Sequence, residues 1–290
     1  MSIDLTLTPK QRRLRAEASM NETPNTCTAE LFDAMVAAYE TWAEPLSARL
    51  AQVALERTSV RAGDSVLDIG AGTGALAHQA AALGARVTAI DLSSAMVARL
   101  TQRLAPYPEC RALVMDGQAL TFEDSTFDAV FSILSTTLFA AWGAGLDEAV
   151  RVVRPDGWVG IVHCANPERA DIFSILSRAL KKLPLPADSP DAPKLTALMS
   201  VHGLRAALKA RECEVMDVGR LDAPSRLPTP ESFMDTLDPI LPHSPNLPLA
   251  RQTPAWRIAY PAFAGSSPMD QGGRAGWSHS QGPLGDRPPH

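Results

Sequence analysis

Apolar residues at helical spacing open the patterned part of the chain. Between Ala29 and Trp42 they recur every three or four positions, which predicts an amphipathic helix. Pro45 interrupts this pattern, because proline cannot donate the backbone hydrogen bond that a helix interior needs. A second helix is predicted after it, leading to Arg57. Residues 1–27 are polar and mixed in charge, and we expect them to be disordered.

Short apolar runs and helical stretches then alternate as far as residue 163. The predicted strands are Ser65–Ile69, Arg86–Ile90, Arg111–Met115, Phe127–Ile133 and Trp158–His163. The predicted helices are Gly74–Leu83, Ala95–Leu104 and Leu146–Val153. Strands joined by helices in this way form right-handed crossovers. The sequence therefore predicts an α/β fold, a Rossmann-like, mostly parallel sheet with helices on both faces.

Composition and charge are typical of a soluble globular protein. Of the 290 residues, 46% are hydrophobic and 20% are charged, and the net charge is −5. Basic residues are scattered, so we expect no nucleic-acid partner. The four cysteines lack metal-ligand or redox spacing, so we expect no metal site. The sequence has no apolar run of membrane-span length and no secretory signal, so we expect a cytoplasmic protein.

Glycines and acidic residues follow the predicted strands. The run Gly70-Ala-Gly-Thr-Gly74 comes after the first strand and opens a helix, while Asp91 and Asp116 end the next two strands. Ligands of parallel α/β sheets bind at the carboxyl ends of the strands. Glycine lets a ligand approach the backbone closely and adopts φ values that other residues avoid. We therefore expect a nucleoside-containing cofactor at this edge.

Two cofactors fit the glycine run alone. Gly70-x-Gly72-x-x-Ala75 also satisfies the dinucleotide fingerprint of nicotinamide-dependent oxidoreductases. Asp68, two residues before the run, favours a cofactor that carries an ammonium group, because a carboxylate there opposes a pyrophosphate. Asp116 is placed to accept from an adenine amino group. The nicotinamide alternative predicts binding of NAD and indifference to Asp116→Ala.

Four motifs in order resemble those of class I S-adenosylmethionine-dependent methyltransferases. They are similar in particular to the small-molecule enzymes of ubiquinone and menaquinone biosynthesis (type 11). The segments are Val66–Ala77, Val87–Met96, Val114–Val130 and Leu146–Trp158, and the resemblance extends over about residues 30–222. It implies methyl transfer from S-adenosyl-L-methionine to a small organic molecule by in-line SN2 displacement.

The resemblance also implies a role for individual residues. Gly70, Ala71 and Gly72 would hold the methionine moiety, with Asp68 orienting the turn or the ammonium group of the cofactor. Asp91 would bind the ribose hydroxyls. The remaining cofactor contacts that it implies are Leu92 and Met96 packing on adenine, Asp116 accepting from the adenine amino group, a backbone donor from Gly117 or Gln118, and Ser132 near the methionine end.

The sequence does not decide which residues are catalytic or form a lid. His163, at the end of the fifth strand, is the candidate general base if the acceptor is a hydroxyl or a carbon acid. The alternative, which the sequence favours, is a histidine that lines the pocket or pairs with the backbone. Tyr39 and Trp42 either form a lid over the methionine moiety or belong to the apolar stripe that docks their helix on the sheet.

The C-terminal part departs from the pattern of the family, whose seven-stranded sheet ends in an antiparallel strand. A sixth strand is predicted at Cys213–Leu221, but the candidate for the seventh, Ala255–Tyr260, is followed at once by a proline. An inactive, cofactor-binding relative with a regulatory or interaction role is therefore the alternative function. The predicted organisation is a disordered tail (1–27), a methyltransferase domain (28–222) with a substrate-cap segment (164–210), an irregular extension (223–265) and a second disordered tail (266–290).

Overall fold

Five parallel strands form the sheet at the centre of the protein. The computed structural model describes residues 29–163 and 201–216. The strands are β1 (Ser65–Ile69), β2 (Arg86–Asp91), β3 (Arg111–Val114), β4 (Phe127–Ile133) and β5 (Val153–Val162), in the spatial order β3-β2-β1-β4-β5. Every neighbouring pair is parallel, which confirms the predicted α/β, Rossmann-like fold. No antiparallel strand joins this sheet within the described residues, and Ala255–Tyr260 lies outside them.

Helices connect the strands. They are α1 (Ala29–Ala38), α2 (Glu44–Thr58), α3 (Ala75–Ala82), α4 (Ser94–Leu104), α5 (Trp142–Val152) and α6 (Val201–Lys209). The helices predicted to begin at Gly74 and Ala95 begin within one residue of these positions, whereas the helix predicted to begin at Leu146 begins at Trp142. Ser93 caps α4, since its Oγ accepts a hydrogen bond from the backbone N–H of Met96 at 3.1 Å. Gly84 follows α3 at φ +86°, the left-handed position expected of a glycine that ends a helix. No helix in these two ranges is long and apolar enough to cross a bilayer.

A π-helical turn, Tyr39–Ala43, joins α1 to α2. Its hydrogen bond runs from the N–H of Glu44 to the carbonyl of Tyr39, five residues back. Pro45 has no N–H to give to the carbonyl four residues earlier, so a regular α-helix does not continue through this point. The predicted interruption at Pro45 is confirmed, and it takes the form of a widened turn.

The hydrophobic core lies in two layers, one on each face of the sheet. In β1, Val66 belongs to the layer with α2, α3 and α4, whereas Leu67 and Ile69 belong to the layer with α5. Side chains alternate along a strand, so Asp68 points to the same face as Val66. The sequence of β1 thus places one carboxylate inside the layer between the sheet and the helices that precede and follow it.

Two predicted strands differ from the structure. β5 begins at Val153 rather than Trp158, because Val153 already pairs with Phe127 before a bulge brings Trp158 opposite Ala129. Residues 213–216 form neither helix nor strand, so the predicted strand Cys213–Leu221 is wrong over its described part. There the N–H of Cys213 donates back to the carbonyl of Leu208 at 3.2 Å, so the chain ends α6 instead of pairing with the sheet.

The Glu-x-x-Arg motif of α5 has a structural role. Arg151 donates to the carbonyls of Phe122 at 2.7 Å and Leu120 at 3.1 Å, and to Glu148 Oε2 at 2.8 Å. Glu148 Oε2 in turn accepts from the N–H of Leu120 at 2.7 Å. These bonds fix the loop that connects β3 to β4 against α5, so the motif stabilises the sheet without belonging to its ligand-binding edge.

Candidate cofactor-binding site

The turn between β1 and α3 accommodates only glycine at its key positions. Gly70, Gly72 and Gly74 have φ of +67°, +56° and +100°. A Cβ on Gly70 would lie 2.7 Å from Ser135 Oγ, and one on Gly74 would overlap Leu100. The predicted glycine turn is therefore present, and its backbone is closely packed against Ser135 and Leu100.

Asp68 lies beneath this turn and acts as the cap of α3. Gly74 occupies the N-cap position but has no side chain, and Asp68 Oδ2 accepts instead from the N–H of Ala77 at 3.1 Å. The side chain is only 2% exposed, and burial raises the pKa of Asp68 to about 7. The sequence assigned this carboxylate either to the turn or to the cofactor. In the structure it forms a hydrogen bond within the turn.

Asp91 connects the end of β2 to the same turn. Its Oδ2 accepts from the N–H of Gly72 at 2.8 Å and its Oδ1 from the N–H of Ser93 at 2.9 Å. Burial raises the pKa of Asp91, while these backbone bonds partly oppose the rise. The N–H of Ala71 donates to the carbonyl of Ile90 at 2.9 Å, so the turn is held by both the backbone and the side chain of β2.

Asp116 and the residues after it lie at the end of β3. Asp116 Oδ1 accepts from both the backbone N–H of Gln118 at 2.9 Å and its Nε2 at 3.0 Å. Of the two backbone donors expected for the adenine ring, that of Gln118 is therefore bound to Asp116. Gly117 is buried against Ile69 and Phe139, where a Cβ would come within 2.5 Å and 2.7 Å of their side chains.

The two apolar residues expected beside adenine differ in exposure. Leu92 is 45% exposed and follows Asp91 directly, so it offers an apolar face at the ligand edge. Met96 is 1% exposed and lies inside the first turn of α4. Leu92 is consequently the better placed of the two for packing on a ligand.

Three buried hydroxyl groups are connected at the end of β4. Ser135 Oγ donates to the carbonyl of Ile69 at 2.7 Å, so in its 2.6 Å contact with Ser132 Oγ it accepts. The single proton of Ser132 is used there, so Thr136 Oγ1 is the donor in its contact with Ser132. This ordered chain joins β4 to the residue before the glycine turn. Ser132, 1% exposed, thus supports the turn, and its place near the methionine end stays a prediction.

Tyr39 lies directly on the glycine turn. A Cβ built on Gly72 would stand 3.0 Å from the ring and hydroxyl of Tyr39. The hydroxyl is 3.3 Å from Ser47 Oγ, which fixes its position along α2. Trp42, the other candidate lid residue, is half-buried three positions later in the π-helical turn. The structure thus brings Tyr39 to the place where a lid is expected.

Three carboxylates surround this tyrosine. Burial, together with the negative charges of Asp68, Asp91 and Glu44, raises the pKa of Tyr39 to about 12. The phenol therefore stays neutral at physiological pH and does not add to the negative charge. The region around the glycine turn is one in which a positive charge is favoured.

Acidic residues of the N-terminal helices face basic residues of α4. Glu40 and Arg99 form an ion pair at 2.5 Å, and Glu44 pairs with Arg103. The two glutamates are four residues apart along the chain, and so are the two arginines, so two rows of opposite charge face each other. Asp33 adds a third contact, since its Oδ1 accepts from Ser93 Oγ at 2.5 Å. The sequence reasoning missed these contacts, although the matched spacing was there to be read.

Glu44 also reaches the glycine turn itself. Its Oε2 accepts from Thr73 Oγ1 at 2.6 Å, while Arg103 donates both to Glu44 and to the carbonyl of Thr73, the latter at 3.1 Å. Thr73 is fully buried, and this arrangement satisfies both its hydroxyl and its carbonyl. The N-terminal helices are consequently bonded to the turn as well as packed on it.

His163 follows β5 at the same edge of the sheet. β5 pairs with β4 through Val162 and Ile133, and the N–H of Leu134 donates to the carbonyl of Val162 at 2.7 Å. His163 is half-buried and follows β5, the strand beside the one that ends near Ser132. The topology thus brings it to the carboxyl edge with the three aspartates, on the far side of the glycine turn from Asp116.

The fold and the acidic strand ends are typical of an α/β domain that binds a ligand at the carboxyl edge of its sheet. Residues 67–161 match the family described as a methyltransferase domain. The match implies S-adenosylmethionine as the cofactor of this segment.

This chain aligns with only part of the length of each relative. A demethylmenaquinone methyltransferase of Clavibacter sepedonicus is 33% identical over 154 residues, which are 52% of this chain and 62% of that protein. An uncharacterized protein of Mycobacterium tuberculosis is 34% identical over 130 residues, 43% of this chain and 46% of that one. The solved structure of a methyltransferase from Aquifex aeolicus has a TM-score of 0.41 and 15% identity, covering 67% of this chain and 86% of that chain. This chain thus spans less than two thirds of both curated relatives.

The first prediction concerns the contact between Tyr39 and the turn. Gly72→Ala forces a side chain to φ +56° and against the tyrosine ring, so we expect affinity for S-adenosylhomocysteine to fall at least about tenfold, measured by calorimetry. Gly63→Ala is the matched control, because φ is +87° there and nothing lies within 4 Å of the new Cβ. Both variants should lose about 1 kcal/mol of stability. Equal affinities in the two variants would show that the contact does not matter.

The second prediction concerns the buried charge of Asp68. Its folded pKa of about 7 lies above the ordinary value of 3.8, so the folded state binds the proton more tightly and stability falls as the pH rises between these values. Asp68→Asn removes the charge. We expect its melting temperature to exceed that of the wild type by several degrees at pH 8, with the difference largely gone at pH 4, while affinity for S-adenosylhomocysteine falls. Asp156→Asn, at an exposed position, is the control, and a melting advantage that ignores pH contradicts the prediction.

Proposed function

We propose that this protein transfers the methyl group of S-adenosylmethionine to a small organic molecule by in-line SN2 displacement. The observation that carries the proposal is the grouping of three carboxylates around the glycine turn, where Asp68, Asp91 and Glu44 accept hydrogen bonds from Ala77, Gly72 and Thr73. Negative side chains favour the ammonium and sulfonium charges of this cofactor. They oppose the pyrophosphate of a dinucleotide, which argues against the nicotinamide alternative.

The methionine and ribose parts of the cofactor would lie over the glycine turn. The backbone of Gly70, Ala71 and Gly72 holds the methionine moiety, and Asp68 beneath it supplies negative charge. Asp91 binds the ribose hydroxyls with the oxygens that already order the turn. The left-handed backbone of Gly70 and Gly72 fits this role, because glycine adopts this conformation without strain and keeps the turn compact beneath the ligand.

The adenine would lie between the ends of β2 and β3. Leu92 offers the exposed apolar face for the ring. Asp116 accepts from the amino group, and the N–H of Gly117 donates to the ring. Met96, which the family resemblance also places here, supports this wall from inside α4.

Reaction requires little chemistry from the protein. When bound, the cofactor supplies an electrophilic methyl group, so the chain's own residues align the acceptor and exclude water. Tyr39 covers the glycine turn from the side of α1 and α2. An acceptor that is protonated at neutral pH also needs a base, and His163 takes that proton on a ring nitrogen.

The acceptor is a small molecule, and the protein works in the cytoplasm without a nucleic-acid partner. The scattered basic residues and the net charge of −5 support the last point. The names of relatives make demethylmenaquinone in its reduced form the first acceptor to assay.

The third prediction tests the cofactor. Purified protein should bind S-adenosylhomocysteine at micromolar concentration in calorimetry and should give no heat with NAD. Asp116→Ala should weaken binding of S-adenosylhomocysteine at least about tenfold, because a buried amino group of the ligand loses its acceptor. Asp156→Ala, at an exposed position remote from the strand ends, should bind as the wild type does. Heat with NAD but none with S-adenosylhomocysteine would overturn the proposal.

The fourth prediction tests the base. His163→Gln should lower kcat about 10²–10⁴-fold with a hydroxyl or carbon acceptor and leave binding of S-adenosylhomocysteine unchanged. His202→Gln, at an exposed position on α6, is the matched control. An unchanged kcat assigns His163 to the pocket wall. Binding of the cofactor product by the wild type without transfer to any acceptor in a broad panel would favour the inactive, regulatory relative.

A further inference from the structure

The side chain of Gln118 connects two parts of the ligand edge. Its Nε2 donates to Asp116 Oδ1 at 3.0 Å, and its Oε1 accepts from the N–H of Ala141 at 2.6 Å. The backbone N–H of the same residue donates to the same carboxylate oxygen at 2.9 Å. One residue thus holds the carboxylate at the end of β3 and the chain that follows β4.

The partners fix which way the amide points. A carboxylate accepts and a backbone N–H donates, so the NH₂ group of Gln118 faces Asp116 and its oxygen faces Ala141. Glutamate has the same shape but carries no donor. At this position it would keep the bond to Ala141 and replace the bond to Asp116 by repulsion between like charges.

The segment after β4 is also packed on the same residues. Phe139 lies against Gly117, where a Cβ would come within 2.7 Å of its ring, and against Gly145 of α5, where a Cβ would come within 2.6 Å. Residues 139–141 are therefore attached to residues 116–118 by an aromatic contact and a hydrogen bond. They begin three residues after Thr136, at the end of the hydroxyl chain that reaches the glycine turn.

We propose that Gln118 is a positioning residue that turns Asp116 Oδ2 toward the amino group of adenine and connects that carboxylate to the segment after β4. Both bonds from residue 118 fall on Oδ1, so Oδ2 is the oxygen that meets the ligand. The inference rests on the proposed function, because it requires adenine at Asp116. It adds that recognition of the base depends on a side chain that does not touch it.

The test compares two ligands, S-adenosylhomocysteine and S-inosylhomocysteine, by calorimetry. In the second ligand a carbonyl oxygen replaces the amino group, so an oriented carboxylate repels it. The wild type should prefer the adenosyl ligand at least about thirtyfold. In Gln118→Glu this ratio should fall at least about fivefold, because Asp116 keeps the backbone donor but loses the side-chain donor and gains a negative neighbour. Gln79→Glu is the matched control, since it also removes an amide donor, to the carbonyls of Ala48 and Ala75, and its ratio should stay at the wild-type value.

A second variant, Gln118→Met, distinguishes the two side-chain hydrogen bonds of Gln118. It also provides the test if Gln118→Glu does not fold. Gln118→Met loses both bonds, so its ratio should fall as well, and hydrogen exchange at the N–H of Ala141 should become at least about tenfold faster. In Gln118→Glu that exchange should stay slow. A wild-type ratio in either folded variant overturns the inference while the proposed function stands. A wild type that binds neither ligand overturns both.

Discussion

The ligand edge depends on two buried carboxylates that hold a glycine turn in a left-handed backbone conformation. Asp68 supplies to α3 the cap that Gly74 lacks, and Asp91 accepts from the N–H of Gly72. Burying a carboxylate is costly, and the raised pKa values of both residues express that cost. The turn therefore keeps its shape at the expense of folding stability. A cationic ligand would recover part of this energy, because it brings a positive charge close to these two carboxylates.

The N-terminal helices complete the edge that the sheet begins. Exposed ion pairs contribute only about 0–1 kcal/mol each, so the pair between Glu40 and Arg99 mainly sets the position of the helix. Glu44 is different, because its carboxylate is largely buried and bonds to Thr73 within the turn. Pro45 makes the preceding turn π-helical, and this widened turn carries Tyr39 onto Gly72. A break in the helix pattern thus determines the position of the side chain that covers the glycine turn.

Much of this arrangement could be predicted from the sequence, and the limits are physical. β1 and β4 have the predicted bounds because each is a short, mostly apolar run between turn residues, as expected of a strand covered on both faces. β5 starts five residues earlier than predicted. The residues Arg154–Gly157 have the composition of a turn, but a bulge keeps them beside β4, and no local sequence pattern predicts that bulge. The acidic strand ends were evident because topology alone brings them to one edge. Their hydrogen bonds were not: that Asp68 caps α3, or that Gln118 spans Asp116 and Ala141, depends on tertiary distances.

The segment that matches the methyltransferase family, residues 67–161, holds the glycine turn and the strand ends but not the whole edge. Tyr39 and Glu44 precede it, yet one contacts Gly72 and the other bonds to Thr73. On the opposite side, Gln118 and Phe139 connect the end of β3 to the chain after β4. The glycine turn is thus supported from both sides by side chains that do not belong to a glycine motif. Two proteins with the same glycine turn can therefore differ in how rigid that turn is. We expect the residues around the turn to influence the affinity for a cofactor.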